Sequence, residues 1–157
     1  MASIMSNQTK RKTPDSKLNK KIITPTAWYK NNRQLFFIIS ILIVTFYCFS
    51  PALDKRKEFT NWDDPEYVTE QKTITSLDIE NIRSMFEIQN PVSLNYHPIT
   101  ILSLAINYHF SEFNPRGYFL TNIIFHLLNT FLVFLFLYLL SKGKFWIGAL
   151  SAIFFGI

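Results

Sequence analysis

A single cysteine, Cys48, stands in the 157 residues, so no internal disulfide can form. It lies inside an apolar run, where its thiol carries no information about the redox compartment. Glycine is nearly as scarce, with four residues, and none is arranged as a phosphate-cradling loop. The three histidines, His97, His109 and His126, share no metal-ligand spacing with Cys48, and no serine-centred nucleophile motif occurs. Charged residues amount to 17%, too few for an ordinary soluble domain. With these chemistries set aside, carboxylates and membrane segments remain.

Apolar residues make up 48% of the chain, 16 of them Phe, and they fall in blocks. Leu35 to Leu53 is uncharged, and at the helical rise it reaches about 28 Å, close to the hydrocarbon thickness of a bilayer. It begins too far into the chain, runs too long and lacks the small-residue cleavage pattern of a secretory signal, so an uncleaved anchor fits better. Gly117 to Leu140 is likewise uncharged and reaches about 36 Å, enough for a tilted span. Phe145 to Ile157 is apolar again but reaches only about 20 Å. The fold class expected is therefore all-α integral membrane, with two complete transmembrane helices, a truncated third, and an extracytoplasmic loop bearing short interfacial helices.

The formal charge of +5 is unevenly distributed. Residues 1–34 carry eight Lys and Arg against one Asp, whereas 54–116 carries six basic and ten acidic residues. Lys142 and Lys144 follow the second span. The positive-inside rule then puts the basic arm (1–34) in the cytoplasm, the loop (54–116) outside, and the turn (141–144) in the cytoplasm. The arm, rich in Lys, Asn, Ser and Thr to about Thr26, is expected to be largely disordered. Its charge suits topology and anionic lipid head groups, and no nucleic-acid partner is expected.

The loop is too long for a simple connection and carries local order. Thr75 with Asp78 resembles a capping box, after which Ile82, Met85 and Phe86 continue a helical spacing begun at Ile74 and Leu77. Asn90-Pro91 breaks that pattern, and Pro98 can open a second helix over Ile99 to Phe110. Asn114-Pro115 and Gly117 then turn the chain into the second span. Both loop helices are apolar enough to lie on a membrane surface.

The most distinctive motif is Phe59-Thr60-Asn61-Trp62-Asp63-Asp64-Pro65-Glu66-Tyr67-Val68. Adjacent Asp63 and Asp64 cannot point the same way on a helix or strand, so one could face a reacting hydroxyl while the other orients backbone, substrate or metal. The plain alternative is an Asx-type turn before Pro65, flanked by interfacial Trp62 and Tyr67. His97, in Asn95-Tyr96-His97-Pro98, could approach the acidic pair and hydrogen-bond a phosphate or a sugar hydroxyl, or could be a solvated loop histidine. Asn122, His126 and Asn129 are spaced i, i+4, i+7 on one face of the second span, where they serve helix packing or contact substrate. The candidate set is thus Asp63 and Asp64 as catalytic residues, with Tyr67, His97, Asn122 and His126 as substrate-binding residues.

Taken in order, FTNWDDPEYV (59–68), NYHPIT (95–100) and NPRGYFLTNIIFHLLN (114–129) resemble the amino-terminal end of a GT-C membrane glycosyltransferase. They look most like bacterial relatives of the transmembrane and tetratricopeptide-repeat O-mannosyltransferases and the protein O-mannosyltransferases. The resemblance covers residues 35 to 157. It implies a polyprenyl-phosphate-type sugar donor, a hydroxyl acceptor on protein Ser/Thr or glycan, and a bacterial inner membrane. It makes Asp63 the base, Asp64 an orienting group, and His97 part of the same pocket. It implies no cofactor and leaves a divalent cation open. Such relatives have more spans, usually followed by helical repeats, so the chain is expected to be a fragment that is inactive alone. The competing expectation is a non-catalytic anchor or assembly subunit whose outside loop binds a partner.

Overall fold

The computed structural model describes residues 28–89 and 91–157. Most of the basic arm, including the stretch expected to be disordered, and Asn90 of the Asn90-Pro91 break lie outside them. The described residues are mostly helical and contain no strand. A short 3-10 turn, Trp28–Lys30, precedes α1, Asn32–Phe49. The Asn31 side chain accepts from the Arg33 N–H at 3.1 Å, satisfying one of the free donors of the first turn. The helix tightens into a 3-10 turn at Ser50–Leu53.

Four helices follow: α2, Ile79–Met85; α3, Pro98–Ser111; α4, Pro115–Leu140; and α5, Phe145–Gly156. Pro98 and Pro115 both sit at helix starts, where the missing N–H costs nothing and the fixed φ suits the first turn. Asn114 caps α4 by accepting from the Arg116 N–H at 3.2 Å. Ser141–Lys144 reverses the chain into α5, with Lys142 and Gly143 at positive φ and the Gly143 N–H on the Tyr138 carbonyl at 2.8 Å.

Two helical stretches, Asn32–Leu53 and Pro115–Leu140, are long and apolar enough to cross a membrane. A soluble core helix of that composition would be mostly covered, but only 17% and 22% of their most apolar windows are buried. The bundle of α1, α4 and α5 has its core at Ile38, Ile41, Phe134, Tyr138, Phe145, Ala149 and Ala152. Gly148, Ala152 and Gly156 recur every four residues on α5 and let backbones approach closely. A Cβ at Gly148 would sit 2.6 Å from the Phe134 carbonyl, and one at Gly156 would sit 2.7 Å from the Thr45 hydroxyl and 2.9 Å from Thr130.

The residues between the two long helices form a second core of Val68, Ile74, Met85, Val92, Ile101, Ala105 and Tyr118. Tyr118 belongs to the first turns of α4, so this core joins the loop to the bundle's end. The loop therefore folds back onto the helices instead of projecting as a separate lobe.

Candidate functional site

The acidic motif is pinned at both ends and raised in the middle. Phe59 packs edge-on against Tyr118, centroids 5.2 Å apart, and Val68 is buried in the loop core. Pro65–Thr69 forms one wide helical turn, whose closing bond runs from the Glu70 N–H to the Pro65 carbonyl at 2.9 Å. The crest between these anchors carries Trp62, 85% exposed, and Asp63, also exposed.

The two adjacent carboxylates have different surroundings. Asp64, half-buried, accepts from the Thr60 N–H at 2.6 Å and from the Thr60 hydroxyl at 3.1 Å, both through Oδ2. It reaches back four residues to close the loop, which is not the forward Asx turn that Pro65 suggests. The Asp63 carboxylate makes no hydrogen bond or ion pair among the described residues, and its backbone carbonyl accepts from the Tyr67 N–H at 3.1 Å.

The Tyr67 and His97 rings meet at 5.1 Å, tilted by 36°, which brings the acidic segment against the start of α3. His97 is the residue before Pro98, so its backbone carbonyl accepts from Thr100 and Ile101 while its side chain caps nothing. Its Nε2 is shut from solvent and has no hydrogen-bond partner among the described residues. Beside it, Ser93 and Leu94 both take positive φ, 50° and 62°, in a tight turn closed by the Val92–Asn95 pair.

Asn122 and His126 belong elsewhere. With Phe49, Ala52, Phe119 and Ile123 they line an apolar cleft of about 250 Å³ between α1 and α4. The His126 ring lies between Phe49, at 4.7 Å, and Phe155, at 5.4 Å, with Nε2 buried and without a hydrogen-bond partner among the described residues. His126 thus packs three helices together, whereas Asn122 and Asn129 remain exposed on α4. The structure brings Tyr67 and His97 together and places Asn122 and His126 on a separate wall.

Several supporting residues carry no signal as motifs. Arg116 Nε donates to the Leu53 carbonyl at 3.0 Å, closing the mouth of the loop across 63 residues. The Thr121 hydroxyl donates to buried Asn107 at 2.5 Å, joining α4 to α3. Asn81 donates to the Thr73 and Ser76 carbonyls, each at 2.6 Å. A cation directly after Asn114-Pro115 could have marked Arg116 as a helix-end partner.

The expected Thr75 cap is corrected. Asp78 itself caps α2, accepting from the Asn81 N–H at 2.8 Å, while the Thr75 hydroxyl turns back to the Lys72 carbonyl at 2.8 Å. The Asp78 carboxylate satisfies the free N–H of the third helical residue, so the helix begins three residues later than the pattern suggests. The Ser76 hydroxyl and the Asn81 N–H hold the Asp78 carboxyl below its ordinary range, and the Arg56 guanidinium does the same for Asp54.

Among the described residues no group of three or more His, Cys, Asp or Glu side chains gathers closely enough to hold a metal ion. Comparisons with protein-family models, curated proteins and solved structures found no match to this chain.

Proposed function

We propose that the chain carries the acidic loop of a membrane glycosyltransferase, which passes a sugar from a polyprenyl-phosphate-type donor to an acceptor hydroxyl outside the cytoplasm. In this reading α1 and α4 cross the bilayer and the loop lies on its outer face. The carrying observation is the unequal pair. Asp64 is committed to Thr60, while Asp63 stands exposed and unpaired on the crest beside Trp62.

Asp63 takes the proton of the acceptor hydroxyl as its oxygen attacks the anomeric carbon. The bond from that carbon to the phosphate oxygen breaks, and the lipid phosphate leaves with the electron pair. A phosphate is already a competent leaving group, so one well-placed base and correct positioning suffice. Asp64 keeps the crest in shape, and Tyr67 with His97 fixes it against α3.

The other reading is a non-catalytic anchor or assembly subunit, favoured by the fully displayed Trp62 and by Leu94, 95% exposed. Sugar transfer from a labelled lipid donor, measured in membranes from cells expressing the protein, separates the two. Asp63→Asn should lower the rate by about 100-fold or more. Asp64→Asn should cost less, because an amide oxygen can still accept from Thr60. Normal transfer by both variants would sink the catalytic reading and is what a binding subunit would give.

A further inference from the structure

A cavity of about 340 Å³ lies under the Val92–Asn95 turn, walled by the Lys72–Thr75 segment, the end of α2 and the start of α3. Its size falls at the low end of small-molecule sites, which span about 300–1,000 Å³. No Asp, Glu, Lys or Arg is among its described walls. The polar groups are amides, hydroxyls and one imidazole, and Met85, Val92 and Ile101 supply an apolar floor.

Much of that polar lining is unspent. The Ser84 hydroxyl donates to the Asn81 carbonyl at 2.7 Å and the Tyr96 hydroxyl to the Phe86 carbonyl at 3.1 Å, which leaves both oxygens able to accept. The Asn95 amide donates to the Ser93 carbonyl at 3.0 Å, leaving its own carbonyl oxygen open. The Thr73 hydroxyl and the Gln89 side chain make no hydrogen bond among the described residues. The positive-φ pair Ser93-Leu94 is an unfavourable conformation for residues with side chains, and it holds Asn95, Tyr96 and His97 against the cavity.

An ion entering such a site would lose water without gaining a counter-charge. A purely apolar group would leave the amides and hydroxyls unsatisfied. The occupant that fits is neutral, with donors and acceptors around its rim and an apolar face for the floor. We propose that this cavity binds a single sugar ring through its hydroxyls, and not the lipid phosphate. Two contacts tie it to the acidic segment: Gln71 in its wall donates to the Glu66 carbonyl at 3.4 Å, and His97 meets Tyr67. Which sugar arrives, and from donor or acceptor, rests on the transferase reading; the site's preference for neutral rings does not.

The test is saturation-transfer NMR on the full chain in phosphatidylcholine nanodiscs, with millimolar methyl glycosides of mannose, glucose, galactose and N-acetylglucosamine, and with mannose 1-phosphate. At least one neutral glycoside should bind, and mannose 1-phosphate should bind more weakly than methyl mannoside. Thr73→Val and Gln89→Leu, checked for an unchanged melting profile, should each weaken the glycoside roughly five-fold. Absence of neutral-glycoside binding, binding by both wall variants as strong as by the unsubstituted chain, or preference for the phosphate would overturn the proposal. Asp63→Asn should keep glycoside binding while losing transfer. Normal transfer by Asp63→Asn with wall-sensitive binding would remove the transferase reading alone, whereas lost transfer without glycoside binding would remove the sugar site alone.

Discussion

The bundle and the loop are held together by different forces. In the bundle, α5 meets α1 and α4 through Gly148, Ala152 and Gly156, against Phe134, Thr45 and Thr130, with aromatic rings filling the remaining space. In the loop, short turns are fastened by side chains to backbone carbonyls: Asn81 to Thr73 and Ser76, Tyr96 to Phe86, and Arg116 to Leu53. Close backbone approach is the device available where the surroundings are as apolar as the side chains. Polar fastening of single turns is the device available where helices are too short to hold themselves. The difference teaches that one chain segregates apolar close packing from polar fastening, which is what the proposal of a membrane bundle with a water-facing loop requires.

That contrast can be broken at the bundle first. Gly156→Leu places a branched side chain where a Cβ already lies 2.7 Å from the Thr45 hydroxyl, with Thr130 behind it. Overpacking of this kind should destabilise the bundle by about 3 kcal/mol. Thermal unfolding in detergent should fall accordingly, and an unchanged profile would show that α5 does not pack as described. Gly117→Ala tests the seam between the regions, since its Cβ would fall 2.0 Å from the Ser111 hydroxyl and 2.4 Å from Ser111 Cβ. Rotating the hydroxyl cannot relieve the second contact. The α3–α4 turn should therefore open at a cost of about 1–3 kcal/mol, seen as faster amide exchange over residues 108–118.

Asn81→Ala should affect the loop alone. It strands two carbonyls, at about 1–3 kcal/mol for an unsatisfied buried group and less for these half-buried ones. Exchange should quicken across residues 72–85 while α1, α4 and α5 keep their protection. Loss of protection in the bundle as well would mean that the two regions are not separately stabilised.

The smallest expected effect is that of pH. The folded Asp78 carboxyl is held below its ordinary value of 3.8, so its contribution to α2 is fully present above that value and is lost as pH falls through the lower, folded one. Amide protection of α2 should therefore weaken under acid below about pH 4 and be unaffected between pH 5 and 8. Asp78→Asn, which still caps, should remove that acid sensitivity.

The long helices were legible because apolar runs of that length suit a helix, and Asn114-Pro115 marked the start of α4 as Pro98 marked that of α3. The loop was legible only in part. The Thr75–Asp78 spacing pointed to a cap three residues early, since either residue could accept and only the fold selects. Nothing in Ser93-Leu94 announces two consecutive positive φ values, because the usual Asn or Gly is absent. The i, i+4, i+7 spacing put Asn122, His126 and Asn129 on one face, but could not say that His126 alone would be enclosed, by Phe49 and Phe155. The division between Asp63 and Asp64 followed from adjacency. That Thr60 would claim Asp64 depends on a loop closure that no pattern encodes.

The proposal of a membrane bundle with a water-facing loop has a direct test in intact cells, using a Cys48→Ser background. Glu70→Cys in the loop and Lys144→Cys in the α4–α5 turn are each exposed to an impermeant thiol reagent. The account requires Glu70→Cys to react at once and Lys144→Cys to react only after permeabilisation. The opposite order, or immediate reaction of both, would contradict it.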